Sequence, residues 1–127
     1  MNNVGKKVLV VDDEPHIIEA IQRILTQKGF QVIGACNGEE GLRKAKQLLP
    51  DLIILDILMP VMDGTTMAQS LQEDFLTKKI PVIFLTCLVR EEEIRRLYPS
   101  GRKYQFLAKP FTPEQLIEVV DKVLGGK

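Results

Sequence analysis

The stretch KVLVVDDEPH, residues 7–16, sets four apolar residues directly against two adjacent carboxylates, Asp12 and Asp13. Its apolar half is continuous and rich in valine, which predicts a strand of a parallel sheet that is buried on both faces. Its acidic half places two like charges side by side, and such charges repel each other and raise each other's pKa. The stretch therefore predicts a central strand with a charged site at its end.

Five units of strand then helix are predicted along the chain. The later strands are QVIGA at residues 31–35, LIILD at 52–56, PVIFLT at 81–86 and YQFLA at 104–108. Each helical segment has one apolar face: Ile17, Ile21, Ile24 and Leu25; Leu42, Ala45 and Leu49; Met67, Leu71 and Phe75; Leu116, Val120, Val123 and Leu124. A fourth helix is predicted around Ile94 and Leu97. This alternation predicts a doubly wound α/β domain, with a parallel sheet and helices on both faces.

Local signals mark the ends of these predicted elements. Pro15 suits the first turn of the first helix, and Thr112 with Pro113 suits the cap and first position of the fifth. Gly29 and Gly38 are predicted to lie in loops. Because no linker or low-complexity segment interrupts the pattern, residues 1–127 are predicted to form a single domain.

Composition excludes several functional classes. The chain has 127 residues, with 17 lysines and arginines against 17 aspartates and glutamates. Such a balance gives no overall field toward nucleic acid or anionic lipid, so we expect neither direct nucleic-acid binding nor membrane association. The start MNNVGKK lacks the apolar stretch of a secretion signal, and a cytoplasmic protein is expected. Cys36 and Cys87 have no metal or redox spacing and are expected to be small buried residues.

Polar residues follow the predicted strands at one edge of the sheet, where open parallel sheets bind ligands. They are Asp12 and Asp13, Asp56, Thr86, and Lys109 followed by Pro110. Each alone has an ordinary explanation, such as a helix cap for Asp13 or a turn for Asp56. Four strand ends carrying such groups together instead predict a binding or catalytic site.

The chemistry of that site is predicted from its charges. Three carboxylates within a few ångströms need a counter-charge, and hard oxygen ligands with room for water suit Mg²⁺. A carboxylate beside such a metal can attack a phosphoryl group. Asp56 is then the expected nucleophile, while Lys109 and Thr86 contact the phosphoryl oxygens.

The segments VVDDE, DLIILDILMPVMDG, FLT and AKPF, in this order and spacing, resemble the receiver domain of two-component response regulators. The resemblance spans almost the whole chain. It implies a flavodoxin-like (βα)5 fold with strand order 2-1-3-4-5. It also implies that Asp56 accepts a phosphoryl group from a phosphohistidine on a sensor histidine kinase or a histidine phosphotransfer protein. Such a domain signals rather than turning over a substrate.

The resemblance also implies roles for individual residues. Asp13 and Asp56 would hold Mg²⁺ with the backbone carbonyl of Leu58, and Asp12 would act through a bound water. Thr86 and Lys109 match the phosphate contacts, and Thr86 with Phe106 matches the switch pair. A cis peptide bond is expected before Pro110.

A further implication concerns output. The surface of the fourth helix, fifth strand and fifth helix would act on an unknown output protein or on a C-terminal effector domain beyond this chain, and a homodimer through that surface is possible. This surface is expected to be locally basic because of four residues: Arg95, Arg96, Arg102 and Lys103. The alternative is that they only form a solvated face. Leu58 and Leu88 stand where some relatives place groups that orient water, so slow self-dephosphorylation is expected; packing against a partner is the alternative.

Three other functional classes fit the sequence less well. A haloacid dehalogenase-type phosphatase needs an acid two residues after its nucleophile, where this chain has Leu58. A flavodoxin-like electron carrier needs a hydroxyl-rich phosphate loop after the first strand, where this chain has Asp12 and Asp13. A degenerate receiver that serves only as a binding module would have lost Asp56, Lys109 or the acid pair, and this chain keeps them all.

Overall fold

The computed structural model describes residues 4–59, 62–86 and 104–125. Five strands and four helices lie within those residues. The strands are β1 (Lys7–Val11), β2 (Gln31–Ala35), β3 (Leu52–Asp56), β4 (Val82–Thr86) and β5 (Tyr104–Ala108). The helices are α1 (Pro15–Thr26), α2 (Gly38–Leu48), α3 (Gly64–Glu73) and the C-terminal helix (Pro113–Val123).

The strands form one parallel sheet in the order β2-β1-β3-β4-β5. β1 lies between β2 and β3, with Val8 paired to Val32 on one side and to Leu52 on the other. This topology confirms the predicted doubly wound, flavodoxin-like fold. It also brings the carboxyl ends of all five strands to one edge of the sheet, because every neighbouring pair is parallel.

Two apolar layers cover the sheet, and successive residues of each strand alternate between them. In β1, Leu9 and Val11 face the layer that α2 and α3 build, whereas Val8 and Val10 face the layer of α1 and the C-terminal helix. β3 is buried along its whole length. Burial of each such aliphatic side chain contributes about 1.5–3 kcal/mol, so the two layers supply most of the force that holds the helices on the sheet.

Helix starts follow the chemistry of the capping residues. Pro15 occupies the first turn of α1, and Thr112 caps the C-terminal helix, which begins at Pro113, as predicted. The structure adds a capping box between Thr112 and Gln115. Gly38 differs from its prediction, because it is the first residue of α2 and not part of a loop. Asn37 caps that helix by accepting a hydrogen bond from the Glu40 N–H. Because Asn37 is the N-cap, Gly38 occupies the first helical position.

Two residues that were predicted on apolar helix faces lie exposed beyond the ends of their helices. α2 ends at Leu48, and Leu49 is 46% exposed in a left-handed conformation (φ 47°), since Pro50 after it disfavours a further helical residue. α3 ends at Glu73, and Phe75, predicted on its apolar face, is 81% exposed. The Asp74 carboxylate accepts a hydrogen bond from the Leu76 N–H at 2.8 Å, a local turn that competes with helix continuation.

Cys36 is exposed at the end of β2, so its predicted burial is wrong. β2 is an edge strand, and the residue after it therefore lies at the margin of the sheet. Cys87, the predicted fourth helix, and the four basic residues assigned to the output surface lie outside the described residues. Within the part of the chain that is described, no helix is long and apolar enough to span a membrane.

Candidate functional site

The site is built on the strand ends. Asp56 is the last residue of β3, Asp12 directly follows β1, and Lys109 directly follows β5. Backbone hydrogen bonds continue past the strand ends: the Asp12 N–H donates to Ala35 at 3.1 Å, and the Lys109 N–H donates to Thr86 at 2.8 Å. These hydrogen bonds hold the backbone of Asp12 and Lys109 in the register of the sheet. The Cα atoms that carry the two polar side chains are therefore held in place by the sheet.

Three carboxylates meet at this edge. Asp12, Asp13 and Asp56 each offer an oxygen, and these atoms lie within 4.8 Å of one another. Asp12 is fully buried and Asp56 is only 6% exposed, whereas Asp13 is exposed. The arrangement therefore has two carboxylates in the floor of the site and one at its mouth, where it meets water.

Lys109 supplies the cation of the site. Its ammonium lies 2.9 Å from Asp12 Oδ2, 3.3 Å from Asp56 Oδ2 and 3.4 Å from Glu14 Oε1, and its side chain is only 13% exposed. The peptide bond between Lys109 and Pro110 is cis. The Lys109 ammonium therefore lies within 3.4 Å of three carboxylates. Two of them follow β1 and the third ends β3.

Burial and charge shift the pKa values of the site in a consistent way. Burial, followed by the negative charge of Asp12, raises the pKa of Asp56 to about 6, although the Lys109 ammonium opposes the shift. Burial also raises the pKa of Asp12. Burial alone would lower the pKa of Lys109, but hydrogen bonding to Asp12 and the charges of Asp12 and Asp56 raise it overall. The site consequently favours added positive charge.

The residues present fit a magnesium ion. Asp12 Oδ2 is buried beside the Lys109 ammonium at 2.9 Å, and this single ammonium lies among three carboxylates, so negative charge remains in the floor of the site for a divalent cation to offset. Oxygen ligands of one Mg²⁺ lie about 2.0–2.1 Å from the metal, so ligands on opposite sides are about 4 Å apart, close to the 4.8 Å within which the three carboxylate oxygens lie. The exposed position of Asp13 leaves room for the waters that Mg²⁺ retains.

Gly64 lies against the backbone at the end of β3, a constraint that the sequence analysis did not predict. A Cβ at Gly64 would collide with the backbone carbonyl oxygen of Asp56 and lie 2.8 Å from the Ile57 Cα. The Gly64 N–H donates to the Ile57 carbonyl at 2.9 Å, and Asp63 caps α3 by accepting from the Thr66 N–H. An Asp-Gly pair soon after a strand-ending aspartate is the signal that would have found this constraint.

The remaining predicted residues are placed as follows. Thr86 ends β4, and its backbone carbonyl binds the Lys109 N–H. Phe106 lies in register with Phe84 across β4 and β5, and their rings stack with centroids 5.7 Å apart. The Leu58 side chain is 51% exposed beside the site, and Leu88 lies outside the described residues. The contact between Glu14 and the Lys109 ammonium was not predicted from the sequence.

Comparisons with known proteins agree with this geometry. Residues 8–121 match the model of the response regulator receiver domain. The DNA-binding dual master transcriptional regulator RpaA of Synechocystis sp. is 36% identical over 118 residues, which cover 93% of this chain and 48% of RpaA. The chain thus spans about half the length of that regulator.

Solved structures show the same relationship. The chemotaxis protein CheY4 of Vibrio cholerae superposes with a TM-score of 0.86 at 32% identity, covering 94% of this chain and 99% of that one. The receiver domain of the sensor histidine kinase PA1611 from Pseudomonas aeruginosa PAO1, solved with a magnesium ion coordinated in its active-site cleft, superposes with a TM-score of 0.84 at 25% identity, covering 96% and 99% of the two chains. With its sheet order, its acidic edge and a family match over residues 8–121, the chain belongs to the response regulator receiver domain family.

Proposed function

We propose that this chain is the phosphoacceptor of a two-component system, in which Asp56 takes a phosphoryl group from a phosphohistidine on a sensor histidine kinase or a histidine phosphotransfer protein. One observation carries the proposal: the Asp56 carboxylate lies at the end of the central strand β3, 3.3 Å from the Lys109 ammonium and beside Asp12 and Asp13. The acidic edge without a cation would oppose the approach of an anionic donor, and Lys109 with a metal removes that opposition.

The metal site in this proposal uses residues already at the edge. Asp13, Asp56 and the backbone carbonyl of Leu58 hold Mg²⁺, and Asp12 acts through a bound water. When bound, Mg²⁺ neutralises charge on the phosphoryl group and lets the carboxylates stay ionised. The magnesium ion in the active-site cleft of the PA1611 receiver domain supports a metal at this edge.

In the transfer step, an Asp56 carboxylate oxygen attacks the phosphorus as the bond from phosphorus to the histidine nitrogen breaks. The nitrogen leaves with the bond's electron pair, and Asp56 becomes an acyl phosphate. A pKa of about 6 leaves most of the Asp56 carboxylate ionised, and therefore nucleophilic, at neutral pH. Lys109 and Thr86 contact the phosphoryl oxygens in this proposal.

Signalling follows from the charge that phosphorylation adds, about 1.5 to 2 negative charges. Thr86 is drawn toward the phosphoryl group, and Phe106, whose ring stacks on Phe84, changes its packing. We propose that the altered surface consists of the predicted fourth helix, β5 and the C-terminal helix. A cavity of about 350 Å³ between β5 and the C-terminal helix, lined by Phe106, Gln115 and Glu118 among others, supports a docking role for this surface.

The target of that surface is an output protein, an effector domain beyond this chain, or a second copy in a homodimer. RpaA, a DNA-binding regulator about twice as long, is a precedent for an effector domain, and CheY4 for a chain of this size. We propose that the chain works in the cytoplasm as a signalling domain, without turning over a substrate, binding a membrane or contacting nucleic acid directly. Leu58 and Leu88 are proposed to slow self-dephosphorylation, and a phosphorylated half-life of only seconds would contradict this.

Intact mass spectrometry tests the phosphoacceptor role directly. Incubation with acetyl phosphate and Mg²⁺ should add the mass of one phosphoryl group, and omission of Mg²⁺ or the substitution Asp56→Asn should prevent the gain. Asp121→Asn, the same change at an exposed position of the C-terminal helix, should behave like the wild type. An unchanged mass for the wild type with Mg²⁺, or undiminished phosphorylation of Asp56→Asn, would refute the proposal.

A further inference from the structure

Glu14 is the third carboxylate on the Lys109 ammonium, and the proposed transfer chemistry does not use it. Glu14 Oε1 accepts a hydrogen bond from Lys109 Nζ at 3.4 Å, while Asp12 and Asp56 lie 2.9 and 3.3 Å from the same nitrogen. Glu14 is separated from Lys109 by 95 positions in the sequence. A charged contact at this place changes the balance of charge where the phosphoryl group must bind.

Local structure explains why the Glu14 carboxylate is free to make this contact. Glu14 is the N-cap residue of α1, but its side chain makes no capping hydrogen bond. Its backbone N–H donates to Asp12 Oδ1 at 2.9 Å, and Pro15 restricts the backbone that follows. Serine, aspartate or asparagine are the side chains that usually bind the first N–H groups of a helix. The longer glutamate side chain instead reaches across to Lys109.

We propose that Glu14 is a positioning residue that holds the Lys109 ammonium among the carboxylates and thereby slows phosphoryl transfer from an anionic donor to Asp56. The inference rests on the proposed function of Asp56 as phosphoacceptor. In that function the ammonium must serve the phosphoryl oxygens, so its contact with Glu14 has to weaken as the donor arrives. Asp12 lacks this freedom because it is fully buried, whereas the Glu14 side chain is 50% exposed and can release the ammonium into solvent-facing space.

Two substitutions separate this positioning effect from the effect of charge alone. Glu14→Gln keeps the size of the side chain and removes its charge. Glu14→Asp keeps the charge, but the shorter carboxylate at an N-cap is expected to accept from the N–H groups of α1 and turn away from Lys109. Glu19→Gln, at an exposed position of the same helix, is the matched control.

The measurement is the initial rate of phosphorylation by acetyl phosphate with Mg²⁺, followed by intact mass spectrometry. Both Glu14 variants should react about twofold to fivefold faster than the wild type, the range expected when one partly exposed charge pair is lost. Glu19→Gln should match the wild type. Thermal unfolding in EDTA verifies that every variant is folded before rates are compared.

Three outcomes would overturn the inference. Rates of both Glu14 variants at or below the wild-type rate would show that the contact does not restrain Lys109. A faster Glu14→Gln together with a Glu14→Asp at the wild-type rate would assign the effect to charge alone. A wild type that gains no phosphoryl mass would refute the proposed function itself, and with it this inference, whereas the first two outcomes leave the role of Asp56 intact.

Discussion

Replacement of Asp56 by asparagine should stabilise the metal-free protein at neutral pH. The pKa of Asp56 is raised from 3.8 to about 6, chiefly by burial and then by the charge of Asp12. A carboxyl group with a raised pKa in the folded state binds its proton more tightly there than in the unfolded chain. Its contribution to stability is therefore fully present below about pH 3.8 and is lost as the pH rises through about 6.

The size of the effect follows from those two values. At about 1.4 kcal/mol for each pH unit between them, ionised Asp56 destabilises the fold by up to about 3 kcal/mol relative to its protonated form. Asparagine resembles the protonated carboxyl group in shape and cannot ionise. The Asp56→Asn variant should thus match the wild type near pH 4 and exceed it by about 2–3 kcal/mol at pH 7.5, or about 10 °C in Tm.

Urea unfolding in EDTA, followed by far-ultraviolet circular dichroism because the chain has no tryptophan, measures this difference across pH 4–8. Asp121→Asn, which changes an exposed carboxylate, is the matched control and should show little difference at either pH. A stability difference for Asp56→Asn that stays constant with pH, or a variant less stable than the wild type at pH 7.5, would refute the electrostatic argument.

Three further changes test the scaffold and the metal site. Gly64→Ala should cost more than about 2 kcal/mol, because its Cβ would collide with backbone at Asp56, whereas Gln69→Ala on the exposed face of α3 should be nearly neutral in urea unfolding. Thr112→Ala should lower the free energy of unfolding by about 1 kcal/mol through loss of the capping box, and no change would contradict the capping argument. Asp13→Asn should leave the metal-free Tm close to the wild-type value, since Asp13 is exposed, yet abolish most of the rise in Tm that Mg²⁺ produces; a full rise would remove Asp13 from the ligand set.

Strand positions were predictable almost residue by residue. A strand buried on both faces needs a continuous apolar run, and such runs ended where Asp12 and Asp56 begin the polar edge. Because parallel strands bring their carboxyl ends together, the grouping of these residues with Lys109 followed from the sequence as well. Only β4 starts one residue later than predicted, after Pro81.

Helix ends and contacts between distant parts of the chain were harder to predict from the sequence. The end of α3 depends on a hydrogen bond from Leu76 to the Asp74 carboxylate, which competes with helical periodicity and leaves Phe75 outside the core. The contact of Glu14 with Lys109 joins residues that no local pattern relates. Exposure of Cys36 depends on the edge position of β2, which only the assembled sheet defines.

The exposed turn at Phe75 has a practical consequence for watching this protein at work. It precedes β4 and so lies at the amino ends of the strands, about five strand residues, or roughly 16 Å, from the acidic edge. A fluorophore attached through Phe75→Cys would therefore lie away from the reacting groups. Cys36 is exposed and directly follows β2, at the carboxyl ends of the strands. Its replacement by serine would make the labelling reaction more selective.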